Sequence, residues 1–277
     1  MKQEKAGQQD ADRRGDFHST TLNYGVSEGS ANTAWTPRQF RQKSMQDLRD
    51  VSHEPAGTPA NSDNRRRNVR EYTLGEEIAN SISHGIGAAL SIAAIVLCTV
   101  FSVRDGAGVL LAAALIYSIS MFLEYLMSTL YHAIPAAGAK RVFKVLDHSC
   151  IYLFIAGSYT PYCLVTMAGM GGMKLGLFVW VVALVGVAVE AFWTYRPRWI
   201  SAVIYVLLGW AVVWYLPVLV EALPATGFWL LLVGGLCYTI GAIFYVLKKI
   251  PYMHTVFHLF ILAGSIFQFF ATLLFVL

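Results

Sequence analysis

The stretch GVLLAAALIYSISMFLEYLMSTLYH, residues 108–132, carries one acidic side chain, Glu124, and no Lys or Arg. About 20 apolar residues in a row are enough for a helix to cross the hydrocarbon core of a bilayer. A helix through this stretch puts Glu124, Ser128 and His132 at i, i+4 and i+8, on one face. Lipid cannot solvate such a stripe, so it must face protein or water. Residues 108–132 therefore read as a membrane helix that belongs to a bundle.

The same texture extends in both directions. Apolar runs at about 78–103, 142–167, 175–194, 199–220, 227–247 and 252–277 are cut by short polar breaks. The breaks include Arg104-Asp105-Gly106, Pro135, the glycines between 169 and 172, Arg196-Pro197-Arg198, Glu221 and Lys248-Lys249. The spacing predicts an all-α, polytopic membrane protein, a seven-transmembrane-helix bundle over 71–277 with loops too short for another domain. Composition agrees. The 277 residues are 56% hydrophobic and 14% charged, with a mean hydropathy of +0.52, against roughly 25% charged in a soluble domain. Residues 1–70 hold 12 of the 21 Lys+Arg and 9 of the 17 Asp+Glu. The body is left almost bare of charge, which excludes an ordinary soluble enzyme and a nucleic-acid binder.

Residues 1–70 predict a disordered polar tail, because they bury too little apolar surface to offset chain entropy. Nothing near Met1 has the apolar run of a cleaved signal peptide, so none is expected. Cys98, Cys150, Cys163 and Cys237 stand alone in apolar runs, as small buried side chains do, and predict no disulfide framework. Alternate loops differ in charge. One set carries Lys140-Arg141, Arg196 with Arg198, and Lys248-Lys249; the other carries Arg104 and Lys174. Basic loops stay cytoplasmic. The N-terminus is expected inside and the C-terminus outside, and the Arg65–Arg70 cluster falls on the basic side.

Ionisable groups at membrane depth are rare and tend to mark function. His254 and His258 are four apart, so a helix stacks them on one face, where two imidazoles can ligate one metal ion. A hydrogen-bonded interfacial pair is the competing reading. That face continues through Ser265 and Gln268, towards the bundle interior. Asp147 stands near the start of the third run, where it could simply complement the helix dipole, and Ser128 could bond back to its own helix. Topology brings these residues to one depth, in the cytoplasmic half of the bilayer. His132, His254 and His258 with one carboxylate match a zinc site with three protein ligands and a fourth position for water. Asp147 could hold that water and take its proton, and Ser128 could donate to a developing oxyanion. Glu77, Asn80 and His84 share a face of the first helix. His84 is read either as a further ligand or partner, or as a packing residue beside Gly85 and Gly87. Glu124 is expected protonated or hydrogen-bonded, Glu190 solvated near the inner interface, and His148 has no assigned role. His18 and His53 are expected solvated in the tail. Thr160-Pro161 predicts a kink.

At these residues the chain resembles the progestin and adipoQ receptor family, in its bacterial haemolysin III branch. The stretches that carry the likeness are Gly75-Glu76-Glu77-Ile78-Ala79-Asn80 with Ser83-His84-Gly85, Ser128-x-x-x-His132, Leu146-Asp147-His148-Ser149, Ala156-Gly157-Ser158-Tyr159-Thr160-Pro161 and His254-x-x-x-His258. Together they cover 71–277. The resemblance implies a seven-helix bundle with a cytoplasmic N-terminus in the bacterial inner membrane. It implies zinc held by His132, His254 and His258, with Asp147 on the attacking water and Ser128 beside it. Members are linked to lipid amide hydrolysis of the ceramidase kind and to membrane lipid and fluidity homeostasis; haemolysis fits a side effect of overproduction.

Three functions compete. A zinc-dependent intramembrane hydrolase would take a lipid amide or ester sideways from the bilayer. A membrane sensor would use zinc structurally. A transporter or pore would want acidic groups continuing across the membrane, and the outer half has almost none. A retinal pigment is disfavoured, since the last run has no Lys for a Schiff base. The expected partners are membrane lipids and one zinc ion, with no nucleic acid.

Overall fold

The computed structural model describes residues 72–277 except 105, 107, 194 and 248; the predicted disordered tail, with its arginine cluster, His18 and His53, lies outside the described residues. Among the described residues every regular element is helical. The helices are α1 (Leu74–Arg104), α2 (Gly108–Ala133), α3 (Ala137–Pro161), α4 (Gly172–Trp193), α5 (Arg198–Gly209), α6 (Leu216–Ala222), α7 (Ala225–Val246) and α8 (Met253–Phe275).

Local chemistry sets several boundaries. The Thr73 N–H donates to Glu76 Oε2 at 2.9 Å, and the Glu76 N–H donates to Thr73 Oγ at 3.3 Å. That reciprocal capping box satisfies two of the orphan donors at the start of α1. α3 gives way after Pro161 to a π-helical turn, Tyr162–Thr166, in which the Met167 N–H reaches Tyr162 O at 2.8 Å. The expected kink is thus a wide turn just past the proline. The run at 199–220 is not one smooth helix. α5 stops at Gly209 and a 3-10 turn, Ala211–Tyr215, leads into α6. The Tyr159 hydroxyl sits at this break, donating to Gly209 O at 2.6 Å and accepting from the Val212 N–H at 3.0 Å. A side chain from α3 therefore satisfies backbone groups that a continuous α-helix would have paired internally.

Among the described residues, six helical stretches are long and apolar enough to cross a membrane: α1, α2, α4, the combined Arg198–Ala222 segment, α7 and α8. α3 is not one of them. Its first half carries Lys140, Arg141, Lys144, Asp147 and His148, the last three of which lower the hydropathy of the run expected at 142–167. The outward faces are apolar, with Phe192 92% and Trp214 79% exposed. Surface of that kind suits lipid and not water.

α1 lies between α2 and α8. α2 also packs on α3, α3 on α4 and α5, and α7 on α5 and α8. One core gathers Tyr152, Tyr159, Leu175, Val179 and Leu219; another gathers Cys98, Tyr117, Met121, Tyr125 and Phe154. The four cysteines are free, and Cys98, Cys150 and Cys163 are buried.

Candidate metal centre

The start of α1, the end of α2, the start of α3 and the start of α8 meet at one end of the bundle, with the chemistry-bearing residues among them. His254 and His258, one turn apart on α8, bring their Nε2 atoms to 3.2 Å. His132, in the last turn of α2, adds a third ring, 5.2 Å from each of the other two by centroid. Each of the three offers a ligand atom within 4.8 Å of the others. His132 and His258 are buried and His254 is half-buried.

Neighbouring groups fix which nitrogen faces inward. The His132 Nδ1–H donates to Glu77 Oε2 at 2.7 Å. On α8 the His258 Nδ1–H is shared between Asn80 O at 3.2 Å and Ser83 Oγ at 3.1 Å, while the Ser83 hydroxyl donates to Asn80 O at 2.9 Å. With Nδ1 committed, both rings carry the Nε2 lone pair as their ligand atom. The 3.2 Å between two imidazole nitrogens also fits. Tetrahedral zinc with Zn–N of about 2.0–2.1 Å spaces neighbouring ligand atoms about 3.3–3.4 Å apart. These residues therefore suit a divalent cation by donor chemistry and outer hydrogen bonds, with the His254–His258 pair at the spacing zinc uses and all three ligand atoms within 4.8 Å.

Asp147 and Ser128 are both buried. Ser128 faces the Asp147 carboxylate where α2 packs on α3, and Asp147 is not in the group formed by the three histidines. Glu124, one turn before Ser128, is buried and lines a partly open cavity of about 370 Å³. That cavity is otherwise largely apolar, and its walls include Tyr245 and Phe257. Their rings lie 5.9 Å and 5.3 Å from the His254 ring, so one side of the cavity is a single ring's width from the histidines. His84 packs face to face on His258, with centroids 3.5 Å apart, and edge-on against Tyr125.

Several residues at this site have roles that sequence reasoning did not assign. Lys140, read as a loop cation, is buried and lies 2.7 Å from Glu77 Oε1. Tyr72 stacks on His254 at 5.0 Å and meets His132 edge-on at 5.5 Å, and Arg198 Nη2 donates to its hydroxyl at 2.6 Å. The Tyr252 N–H donates to Glu76 Oε1 at 2.9 Å from a left-handed backbone, tying the start of α8 to that of α1. The available signal was the shared face of Glu77, Asn80 and His84; nothing in it named the partners. Glu190 corrects its expectation. It is not solvated but 1% exposed, 2.6 Å from Arg196 Nη1 and 3.1 Å from His148 Nδ1.

Comparison with known proteins adds an independent line. The family profile described as Haemolysin-III related matches residues 72–269. The protein called Hemolysin-3 in Bacillus cereus is 43% identical over 202 residues, covering 73% of this chain and 92% of that protein. The Hemolysin-3 homolog of Bacillus subtilis (strain 168) is 41% identical over 202 residues, covering 73% and 95%. The human protein called Monocyte to macrophage differentiation factor is 25% identical over 166 residues, 57% of this chain and 68% of that protein. It is a distant relation, in the progestin and adipoQ receptor family.

Proposed function

This chain belongs to the haemolysin-III-related family, and from that premise we propose that it is a zinc-dependent membrane hydrolase of a lipid amide or ester, of the ceramidase kind, acting in membrane lipid homeostasis. The observation that carries the reading is the meeting of His132, His254 and His258 within 4.8 Å, with Nδ1 of two rings already engaged by Glu77 and Asn80. Three-histidine sites with an open fourth position are catalytic more often than structural. When bound, zinc supplies Lewis acidity to a carbonyl and brings the pKa of a water towards about 7.

The chain's own groups do the rest. Asp147 is the proton acceptor for the attacking water, with Ser128 beside it on α2. Once Asp147 holds a proton, Ser128 is released to donate to a developing oxyanion. The cavity bounded by Tyr245 and Phe257 takes the acyl chain and keeps water from it. Seven crossings, with the N-terminal side cytoplasmic in the inner membrane, suit this reading. Burial of Lys140, Lys144 and Asp147 inside the bundle, away from lipid, supports a crossing by α3 as well.

The test is metal content and lipid turnover of purified protein. Wild type should hold about one zinc per chain, in keeping with a three-histidine site. His258→Ala should lose both zinc and turnover. Asp147→Asn should keep zinc and lose turnover by about 10²-fold or more. Full hydrolysis by a zinc-free protein would end the idea; zinc without hydrolysis of any lipid amide or ester would favour the sensor.

A further inference from the structure

Lys140 belongs by sequence to a basic loop, where its charge would only report topology. Its surroundings say otherwise. The side chain is buried, with Nζ 2.7 Å from Glu77 Oε1 and donating to Tyr131 O at 3.0 Å. It also lies over the Tyr131 ring, 4.8 Å from the centroid. Glu77 uses its other oxygen, Oε2, for the His132 Nδ1–H at 2.7 Å. One carboxylate is thus gripped at both oxygens, by a cation from α3 and an imidazole from α2. The same ammonium holds the peptide carbonyl immediately before that imidazole.

The two oxygens of a carboxylate are equivalent, and the group turns freely unless something fixes its plane. A cation at 2.7 Å from one oxygen fixes it and leaves the other aimed at His132. It also sets a positive charge beside a buried carboxylate, whose burial is costly. A metal-ligating imidazole depends on such an outer partner for its tautomer and ring plane. We propose that Lys140 is a positioning residue of the metal centre, acting through Glu77 to hold the His132 ring with Nε2 facing His254 and His258. The proposal rests on the metal reading of the three histidines.

The experiment is a double-mutant cycle on zinc affinity, by chelator competition with purified full-length protein, and needs no enzymatic assay. Glu77→Gln should weaken zinc about 10–100-fold, the usual effect of losing an outer partner. Lys140→Met should weaken it about 10-fold or more within that range, and Lys140→Arg should recover most of the loss. Because Lys140 acts through Glu77, the double variant E77Q/K140M should bind zinc as E77Q alone does. Wild-type affinity in K140M, or independent losses that multiply in the double variant, would overturn the proposal and leave the metal reading standing. If K140M does not fold, E77Q against E77Q/K140M carries the comparison: equal affinities support the proposal and a further loss overturns it. A wild type that takes up no zinc would overturn the metal reading and this proposal with it.

Discussion

Glu190 holds two partners in a dry setting, Arg196 at 2.6 Å and His148 at 3.1 Å, and Arg196 also donates to the Tyr152 hydroxyl at 3.2 Å. Burial works against the charge on Arg196, and Glu190 together with Tyr152 and Tyr205 outweighs it, keeping the guanidinium pKa above its ordinary value. Removing one partner of such a pair strands the other. Glu190→Ala should cost roughly 3–5 kcal/mol, and Glu190→Ala with Arg196→Met should regain most of that; thermal unfolding in detergent measures both. The pair was not legible beforehand, because a Glu and an Arg near a helix end look the same whether solvated or locked together. The histidines were easier. The four-residue step of His254 and His258 is a property of the helix itself, and the depth of His132 follows from counting crossings. Glu77 and Lys140 were harder, since an acid at a helix start and a base in a loop both have ordinary explanations.

At the scale of elements, hydropathy located nearly every helix, since the apolar runs and the helices end within a few residues of each other. It missed what side chains from other elements impose. Within 199–220, Pro217 signals the fresh start of α6, but nothing there names Tyr159 as the group that fills the break, and nothing within 142–167 says that its charges are buried. The glycines of α1 make the same point. Gly85 and Gly87 both looked like points of close approach, yet a methyl at Gly85 would reach only Thr129 at 3.8 Å, while one at Gly87 would overlap the Tyr125 ring. Tyr125 cannot give way cheaply, because its hydroxyl donates to Ser265 at 2.7 Å. Gly87→Ala should therefore destabilise the bundle by about 1–3 kcal/mol, and Gly85→Ala by much less. Paired melting curves of the two variants decide it.

At the scale of the molecule, an even number of crossings returns the chain to the side it started from and an odd number does not. The difference lies in α3 alone. With α3 crossing, reporters fused after residues 140 and 196 should read cytoplasmic, and those after 106, 172 and 277 should read external. A cytoplasmic signal at 277 would mean that α3 does not cross.

The meeting of α1, α2 and α8 also sets an order of assembly. Glu77, Asn80 and His132 come early in the body, and His254 and His258 arrive only with α8, after every other helix has been made. Termination just before α8 would leave most of the hydrophobic body but, of the three histidines, His132 alone. On the proposed metal reading, such a fragment would sit in the membrane with one imidazole in place of three, so that only a chain carrying α8 has the complete ligand set.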